Sequence, residues 1–526
     1  MCDWTKAQAE ALDWLKTNHE ALSKDHMTIY DFHEPSWRES RSSAWYMDRL
    51  EAEGFTVERG TGGMPTAFRA TWSNGEGPVI AGYAEYDAVP GQSQAAVPRR
   101  QPREGTSKHA AGHTDPHSAL GIGAFAGFLA AKRGMEQHGI PGTLVFFGEP
   151  AEKLCGAKPI HAAKGYYDGL DAAISFHPHS FPALTNGCFW ETTSAPLWSR
   201  MYTFECEHPE TWQQGHSAGG VTHTHAAARA PGAIDAVCMM YTSSKMMKES
   251  MLPHTGSWAM NEFIPVAGQA TSDNIAPAIG QVQFTLRAPS IEMCDAAYAV
   301  LDRNAEQVAG MTHCTWRADW IARTRAGLPN KAMAEITFRN FEKLGPPKWS
   351  KAAKDFAREI QKELGTPETD EPLLAGMEKL TPPWEAEESF REQLPAWQLN
   401  YAADDYVDYT WHCPTVRLYV ARPTMEPRPD GARWPEWVRH AMNGVPEIID
   451  PMWSKAAEVI STTVLDLMTD ADALARAKAE FEERTGGGVG GSKWVAPLLP
   501  ADFEPPIHYR WPEYVETPRG PEWTMP

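Results

Sequence analysis

Residues 112–121, GHTDPHSALG, bring one carboxylate, Asp115, and two imidazoles, His113 and His117, within five positions. Side chains of these types hold divalent metal ions or move protons. Three further stretches end in residues of the same kind. Residues 79–83 (VIAGY) run into Glu85 and Asp87, 143–147 into Gly148-Glu-Pro-Ala-Glu152, and 172–176 into His177-Pro-His179. Carboxylates and imidazoles with no cysteine among them suit an ion with oxygen and nitrogen ligands. The plainer reading of 112–121 is a helix start, with Asp115 and Pro116 as N-cap and first-turn pair and His117 a surface histidine.

Positioning such residues together needs strands that end at one crevice. The three apolar runs read as buried strands, and the alanine-rich run 119–132 reads as a helix. In open α/β sheets, ligand sites form beyond the carboxyl ends of parallel strands. Three strand ends and one helix start would therefore deliver Glu85, Asp87, Asp115, His117, Glu152 and His177 to a single site. Helices over 4–23 and 43–53, the second stopping at Gly54, and strands over 55–59 and 67–72 complete an α/β pattern. Residues 92–112, with Pro98, Arg99, Arg100, Pro102 and Arg103, read as a long mobile loop, either a gate or a surface excursion.

Beyond His177 the pattern changes. Strands over 200–206 and 281–287 and helices over 232–247 and 291–309 predict a compact α+β insert. Helices over 330–343 and 350–364 follow, then a loop with Asp404, Asp405 and Asp408, a strand over 415–421 and a helix over 453–468. Residues 486–526, rich in glycine, proline and aromatics, read as an extended arm with little regular structure. The fold class is α/β, a domain with a central, mostly parallel sheet interrupted by a smaller α+β domain. The expected boundaries are 1–198, 199–324 and 325–526.

The chain has 526 residues, 68 acidic against 48 basic, and a net charge of −20. That charge repels nucleic acid and acidic membranes, so neither is expected as a partner. The eight cysteines are scattered without a C-x-x-C pair, which reads as reduced thiols. The sequence offers no signal-peptide pattern and no run of about 18 apolar residues. A soluble, cytoplasmic protein is expected. Trp190, Trp411 and Trp437 lie near the motifs, where they would suit either an aromatic pocket or the core.

Taken in order, the segments 84–91 (AEYDAVPG), 112–121, 148–152 (GEPAE), 175–178 (SFHP), 224–227 (THAA), 273–277 (DNIAP) leading to Arg287, and 403–414 resemble the metal-dependent aminoacylase and carboxypeptidase family. Within it they are most similar to the p-aminobenzoyl-glutamate hydrolase branch. Seven short motifs in family order over nearly the whole chain are a strong signal where each alone is weak. The resemblance implies a catalytic domain interrupted by a lid that dimerises. It also implies a metal site made by Asp115 in the bridging position, His117 and His177. Glu85 stands where other branches place a metal histidine, and Asp87 where a neighbouring ligand is oriented.

The family usually holds two ions, and the second site looks broken here. Glu152 matches the general base, but the next residue, normally a metal-binding glutamate, is Lys153. The last histidine ligand is replaced by Glu436, with His440 close by. Lys153 would fill the vacated place and pair with Glu436 or a substrate anion, so one ion per site is expected, manganese or zinc. By the same resemblance, Glu152 serves as base, His225 stabilises an oxyanion, and Arg287 and Asn274 bind a substrate carboxylate. His179 and His412 are further candidates for substrate contact. The implied activity is hydrolysis of a C–N bond in a small aromatic carboxylate, as an aryl amidohydrolase. The alternatives are an aminohydrolase that removes a ring amine from an electron-poor anthranilate, and a non-catalytic relative that only binds metal and carboxylate.

Overall fold

The computed structural model describes residues 4–180, 184–207, 231–252, 256–268 and 277–524. The largest sheet has seven strands in the order Thr56–Arg59, Phe68–Ser73, Thr143–Gly148, Val79–Ala84, Ala172–Pro178, Thr415–Val420 and Gly187–Cys188. Its four central strands are mutually parallel. The flanking strands pair antiparallel. Continuous apolar runs dictate this placement, because parallel strands lie buried on both faces. The register aligns Ala84 with Gly148 and His177 with Tyr419. Glu85, Glu149 and His177 therefore leave the sheet at one edge.

The helix His117–His138 is apolar all round and buried along most of its length. It packs between Lys6–Phe32 and Pro446–Thr469, over the sheet. Two glycines permit that approach. A Cβ at Gly127 would lie 2.8 Å from Ile460, and one at Gly121 would lie 2.3 Å from the Tyr46 hydroxyl and 2.8 Å from the Glu85 carbonyl. Gly121 thus lets the helix start sit directly against the backbone that carries Glu85.

A second, antiparallel sheet has the order Thr315–Arg323, Leu197–Glu205, Ile279–Arg287 and Ala259–Val266. The helices Ala233–Met251 and Ile291–Thr312 pack on it and share a hydrophobic core separate from that of the large sheet. The chain is therefore an α/β unit with a parallel sheet centre, interrupted by an antiparallel α+β unit. At the junction the Trp198 indole donates to the Thr324 carbonyl (2.9 Å). There the fully buried Arg325 donates to Asp408 Oδ1 (2.7 Å) and to the Val495 carbonyl (2.9 Å).

Several local expectations are corrected. Pro116 lies outside the helix with ψ 56°, so the helix begins at His117 and Asp115 does not cap it. Its carboxylate is thereby free for another partner. Residues 92–112 lack helix and strand, but they are held in place. The Val89 and Gly112 backbones bridge, Arg100 donates to Gln94, and Arg103 reaches His33 and Asp31. The long helix starts at Pro446 despite Pro451, two turns before its apolar periodicity becomes evident. The arm carries a hairpin, Glu513–Thr517 with Gly520–Thr524, and is preceded by the helix Ala471–Thr485. Among the described residues no helix is long and apolar enough to cross a membrane.

Candidate metal centre

Six residues singled out in the sequence meet at the sheet edge. His117 is fully buried, and its Nδ1 lies 2.7 Å from Asp87 Oδ1. Asp87 is held in turn by the Ser36 hydroxyl (2.7 Å) and the Lys153 backbone N–H (2.9 Å). A carboxylate behind one ring nitrogen fixes the imidazole and aims the other nitrogen inward. That Nε2 lies 3.2 Å from Glu152 Oε2, 3.4 Å from Glu85 Oε2 and 3.7 Å from Asp115 Oδ2. His177 Nδ1 donates to the Pro178 carbonyl (2.9 Å), and its Nε2 stands 3.9 Å from Asp115 Oδ1.

These residues fit a divalent ion. Glu85 Oε2, Asp115 Oδ1 and His117 Nε2 are buried and make no well-formed hydrogen bond, and Glu152 Oε2 is met only by the Lys153 ammonium and the His117 ring. Buried polar atoms rarely remain so without a partner. Ligand atoms of Glu85, His117 and His177 lie within 4.8 Å of one another, as do those of Asp87, His117 and Glu152.

The electrostatics put each group in a usable state. Burial opposes charge on Asp115, but Lys153, His177 and His117 hold its carboxyl well below the usual range. Glu152 is also held low against its burial, chiefly by Lys153 and His117. Burial lowers His177 to about 4, leaving a neutral imidazole. Burial raises Glu85 to about 7 against the pull of Lys158. His117 resists burial and the Lys153 charge because the carboxylates of Asp87 and Glu152 flank its two ring nitrogens, and its pKa is well above that of a free histidine. Positive charge is thus drawn to the point that Nε2 faces.

Lys153 does not make the pairing expected with Glu436. Its ammonium pairs with Asp115 Oδ2 (2.7 Å) and Glu152 Oε2 (2.9 Å), not with Glu436. Glu436 is exposed beside Arg439. His440 is buried away from the centre, with Nε2 3.1 Å from His33 and Nδ1 donating to the Gln92 carbonyl (2.6 Å). Arg287 and His179 line a cavity of about 230 Å³ above the centre, together with Asp115, Glu152, Lys153 and His177. His412 is elsewhere, 3.1 Å from Asp168 and packed edge-on to Tyr167. His225 and Asn274 lie outside the described residues. The aromatic lining is Tyr401 and Tyr419 rather than tryptophan. Trp190 packs on Trp384, Trp411 donates to the Ala326 carbonyl, and Trp437 packs in a core cluster.

Three cations that sequence reasoning passed over complete the surroundings. Lys158 is fully buried, 2.7 Å from Glu85 Oε1 and 2.6 Å from Asp405 Oδ1. Arg422 Nη1 stands 3.7 Å from Asp115 Oδ1. Arg417 pairs with Asp404 and donates to the Ser175 hydroxyl (2.6 Å). The acid-rich run 404–408 was the available signal, because buried carboxylates require cations nearby.

No family model matches the chain. Among curated proteins it is 30% identical over 337 residues to one of the subunits of the p-aminobenzoyl-glutamate hydrolase of Escherichia coli (strain K12), covering 64% of this chain and 65% of that one. Over that span the chain is similar to a hydrolase, by that relative's name. A Xaa-Arg dipeptidase of Mus musculus is 27% identical over 297 residues, covering 54% of this chain and 58% of that protein. The match thus spans less than two thirds of either relative's length. Among solved structures, an aminobenzoyl-glutamate utilization protein from Klebsiella pneumoniae superposes with a TM-score of 0.52 at 12% identity, covering 87% of this chain and 98% of that one. This likeness is one of fold.

Proposed function

We propose that this protein is a metal-dependent hydrolase that cleaves a carbon–nitrogen bond of a small aromatic substrate bearing a carboxylate. One observation carries the reading: buried ligand atoms of Glu85, Asp115 and His117, without hydrogen bonds, converge beside the carboxylate of Glu152, below a cavity. The relatives' names, a p-aminobenzoyl-glutamate hydrolase and a dipeptidase, support the same reaction class.

Asp115, His117 and His177 would hold one divalent ion, manganese or zinc, with Glu85 able to contribute a further oxygen. When bound, such an ion supplies a Lewis acid that makes water a stronger acid. Glu152, kept ionised, accepts the proton and returns it to the leaving nitrogen. Lys153 takes the place of a second ion and offers a fixed cation where negative charge develops. Arg287, facing the same cavity, orients the substrate carboxylate through its planar fork of donors. His225 and Asn274 retain the oxyanion and carboxylate roles that the family motifs give them. His179 serves as a wall of the substrate space.

An aryl amide is the broader substrate class. A second reading draws support from size, because about 230 Å³ is less than the roughly 300–1,000 Å³ typical of pockets for drug-sized ligands. A single ring fits such a volume best, which favours removal of a ring amine from an electron-poor anthranilate, as by a 5-nitroanthranilate aminohydrolase. The protein would act in the cytoplasm as a homodimer through the antiparallel unit. The edge strand Ala259–Val266 exposes Phe263 and Ile264, and the helix Ala233–Met251 exposes Met246.

The test is Glu152→Gln, assayed against aryl amides and anthranilates for released amine or ammonia. Turnover should fall at least about 100-fold with metal content unchanged. Loss of the metal, or full activity with Gln at this position, would overturn the assignment of the base.

A further inference from the structure

A second group of ligand atoms lies beside the first and, apart from Glu152, has no part in the proposed reaction. Glu152, Cys155 and Asp405 each offer one atom within 4.8 Å of the other two, and all three residues are buried. The short helix Glu152–Leu154 places Cys155 here. Its backbone N–H donates to the Glu152 carbonyl (2.7 Å), and its φ of 52° turns the chain sharply enough to return the side chain toward Glu152. Cys155 packs on Leu197 and Ala322, and it lines the same cavity as Glu152 and Arg287. Asp405 comes from the acid-rich loop. Lys158 takes its Oδ1, while its Oδ2 is buried and makes no hydrogen bond. A soft sulfur donor and two carboxylates, reached from a polar cavity, therefore retain coordination capacity.

We infer that Glu152, Cys155 and Asp405 form a second cation site selective for thiophilic divalent ions such as zinc, cadmium or cobalt, and that filling it blocks the enzyme. The selectivity follows from the donors and their neighbours. Lys153 stands 2.9 Å from Glu152 Oε2 and Lys158 stands 2.6 Å from Asp405 Oδ1, so hard ions held by charge alone are repelled. A metal–thiolate bond adds affinity that magnesium, calcium or manganese does not gain. On binding, the thiol proton leaves to solvent and a sulfur–metal bond forms, with no change of oxidation state. The site is distinct from the place Lys153 fills, because its ammonium lies between Asp115 and Glu152. The blocking rests on the proposed role of Glu152 as base, whereas the binding does not.

The full chain, loaded with one equivalent of manganese, would be titrated with cobalt(II) while near-ultraviolet absorption is recorded. Cys238 is exposed, so the background is Cys238→Ser. A thiolate-to-cobalt charge-transfer band should grow and saturate at one further equivalent. Cys155→Ser should remove the band and leave the first equivalent bound. Asp405→Asn, its fold checked by circular dichroism, should weaken the second equivalent at least about tenfold. A band that survives Cys155→Ser, or no band in excess cobalt, would overturn the site. Activity should fall in step with the band. A saturated band with undiminished turnover would retain the binding site and refute the blocking, and with it the assignment of Glu152.

Discussion

Replacing Lys153 by methionine should tighten metal binding while weakening catalysis. The ammonium lies 2.7 Å from Asp115 Oδ2, so the proposed ion has to share that carboxylate with a competing cation. A hydrogen bond to a charged group contributes roughly 1.5–3 kcal/mol. Lys153 and Asp115 are about a quarter exposed, so solvent screening reduces the contribution toward the lower end. Releasing Asp115 should therefore return on the order of 1.5 kcal/mol to metal binding, about a tenfold fall in Kd. The stoichiometry should stay at one ion. Methionine supplies no carboxylate, Glu436 is exposed beside Arg439, and Arg422 remains 3.7 Å from Asp115 Oδ1. Turnover should drop about 100-fold, as when one stabilising donor is lost from a developing anion. Calorimetric titration of metal-free wild-type and Lys153→Met protein with manganese measures the affinity, and a fixed-substrate assay measures the rate. Weaker or unchanged manganese binding in the variant would refute the idea that Lys153 competes for Asp115.

Two further outcomes concern stability. Arg325→Ala strands Asp408 in the junction with its Oδ1 partner removed, and such a loss typically costs about 3–5 kcal/mol, to be read by chemical unfolding. A wild-type-like midpoint would mean that the junction relaxes around the carboxylate. Burial lowers His26 and His440 each to about 3, below the value near 6.5 of an unfolded histidine. The unfolded state then binds more protons between these values, so stability falls as pH drops below about 6.5 and is constant above it for these groups. The slope is about 1.4 kcal/mol per pH unit per histidine. His26→Gln should reduce the stability difference between pH 7 and pH 5 by about that slope over the window below 6.5, and an unchanged difference would show that His26 titrates normally.

The strands that carry the centre were legible because each is a short apolar run ending in an acid or a histidine, and a parallel sheet gathers such ends at one edge. The capping role read for Asp115 failed because Pro116 does not adopt helical angles and the helix starts at His117 without a side-chain cap. Lys158 was invisible for a different reason. A lysine in a seven-residue helix looks solvated, and only the fold reveals that Glu85 and Asp405 enclose it. His440 shows the converse. It lies close in sequence to the position of a family ligand, yet the helix Glu436–Asn443 turns it toward His33. Strand ends follow from local pattern, whereas charge partners from distant segments do not.

Charge balance gives an independent reason to expect one ion rather than two. Glu85, Asp87, Asp115, Glu152 and Asp405 surround the centre as five carboxylates, and Lys153, Lys158 and Arg422 are the cations described in contact with them. With all ionised, two negative charges remain, which one divalent ion neutralises. A second ion held by these carboxylates alone would leave the same buried volume with two uncompensated positive charges, which is strongly unfavourable, so any further ion has to bring an added anion such as the Cys155 thiolate with it. Without any ion the excess negative charge must be met by protons, in accord with the raised affinities of His117 and Glu85. Loading the proposed site should therefore displace protons into weak buffer at neutral pH, from His117 and from the buried carboxyls of Glu85 and Asp405, all of which hold protons more tightly than usual. Metal uptake without proton release would mean that the metal-free centre holds its negative charge unprotonated, and would refute this charge balance.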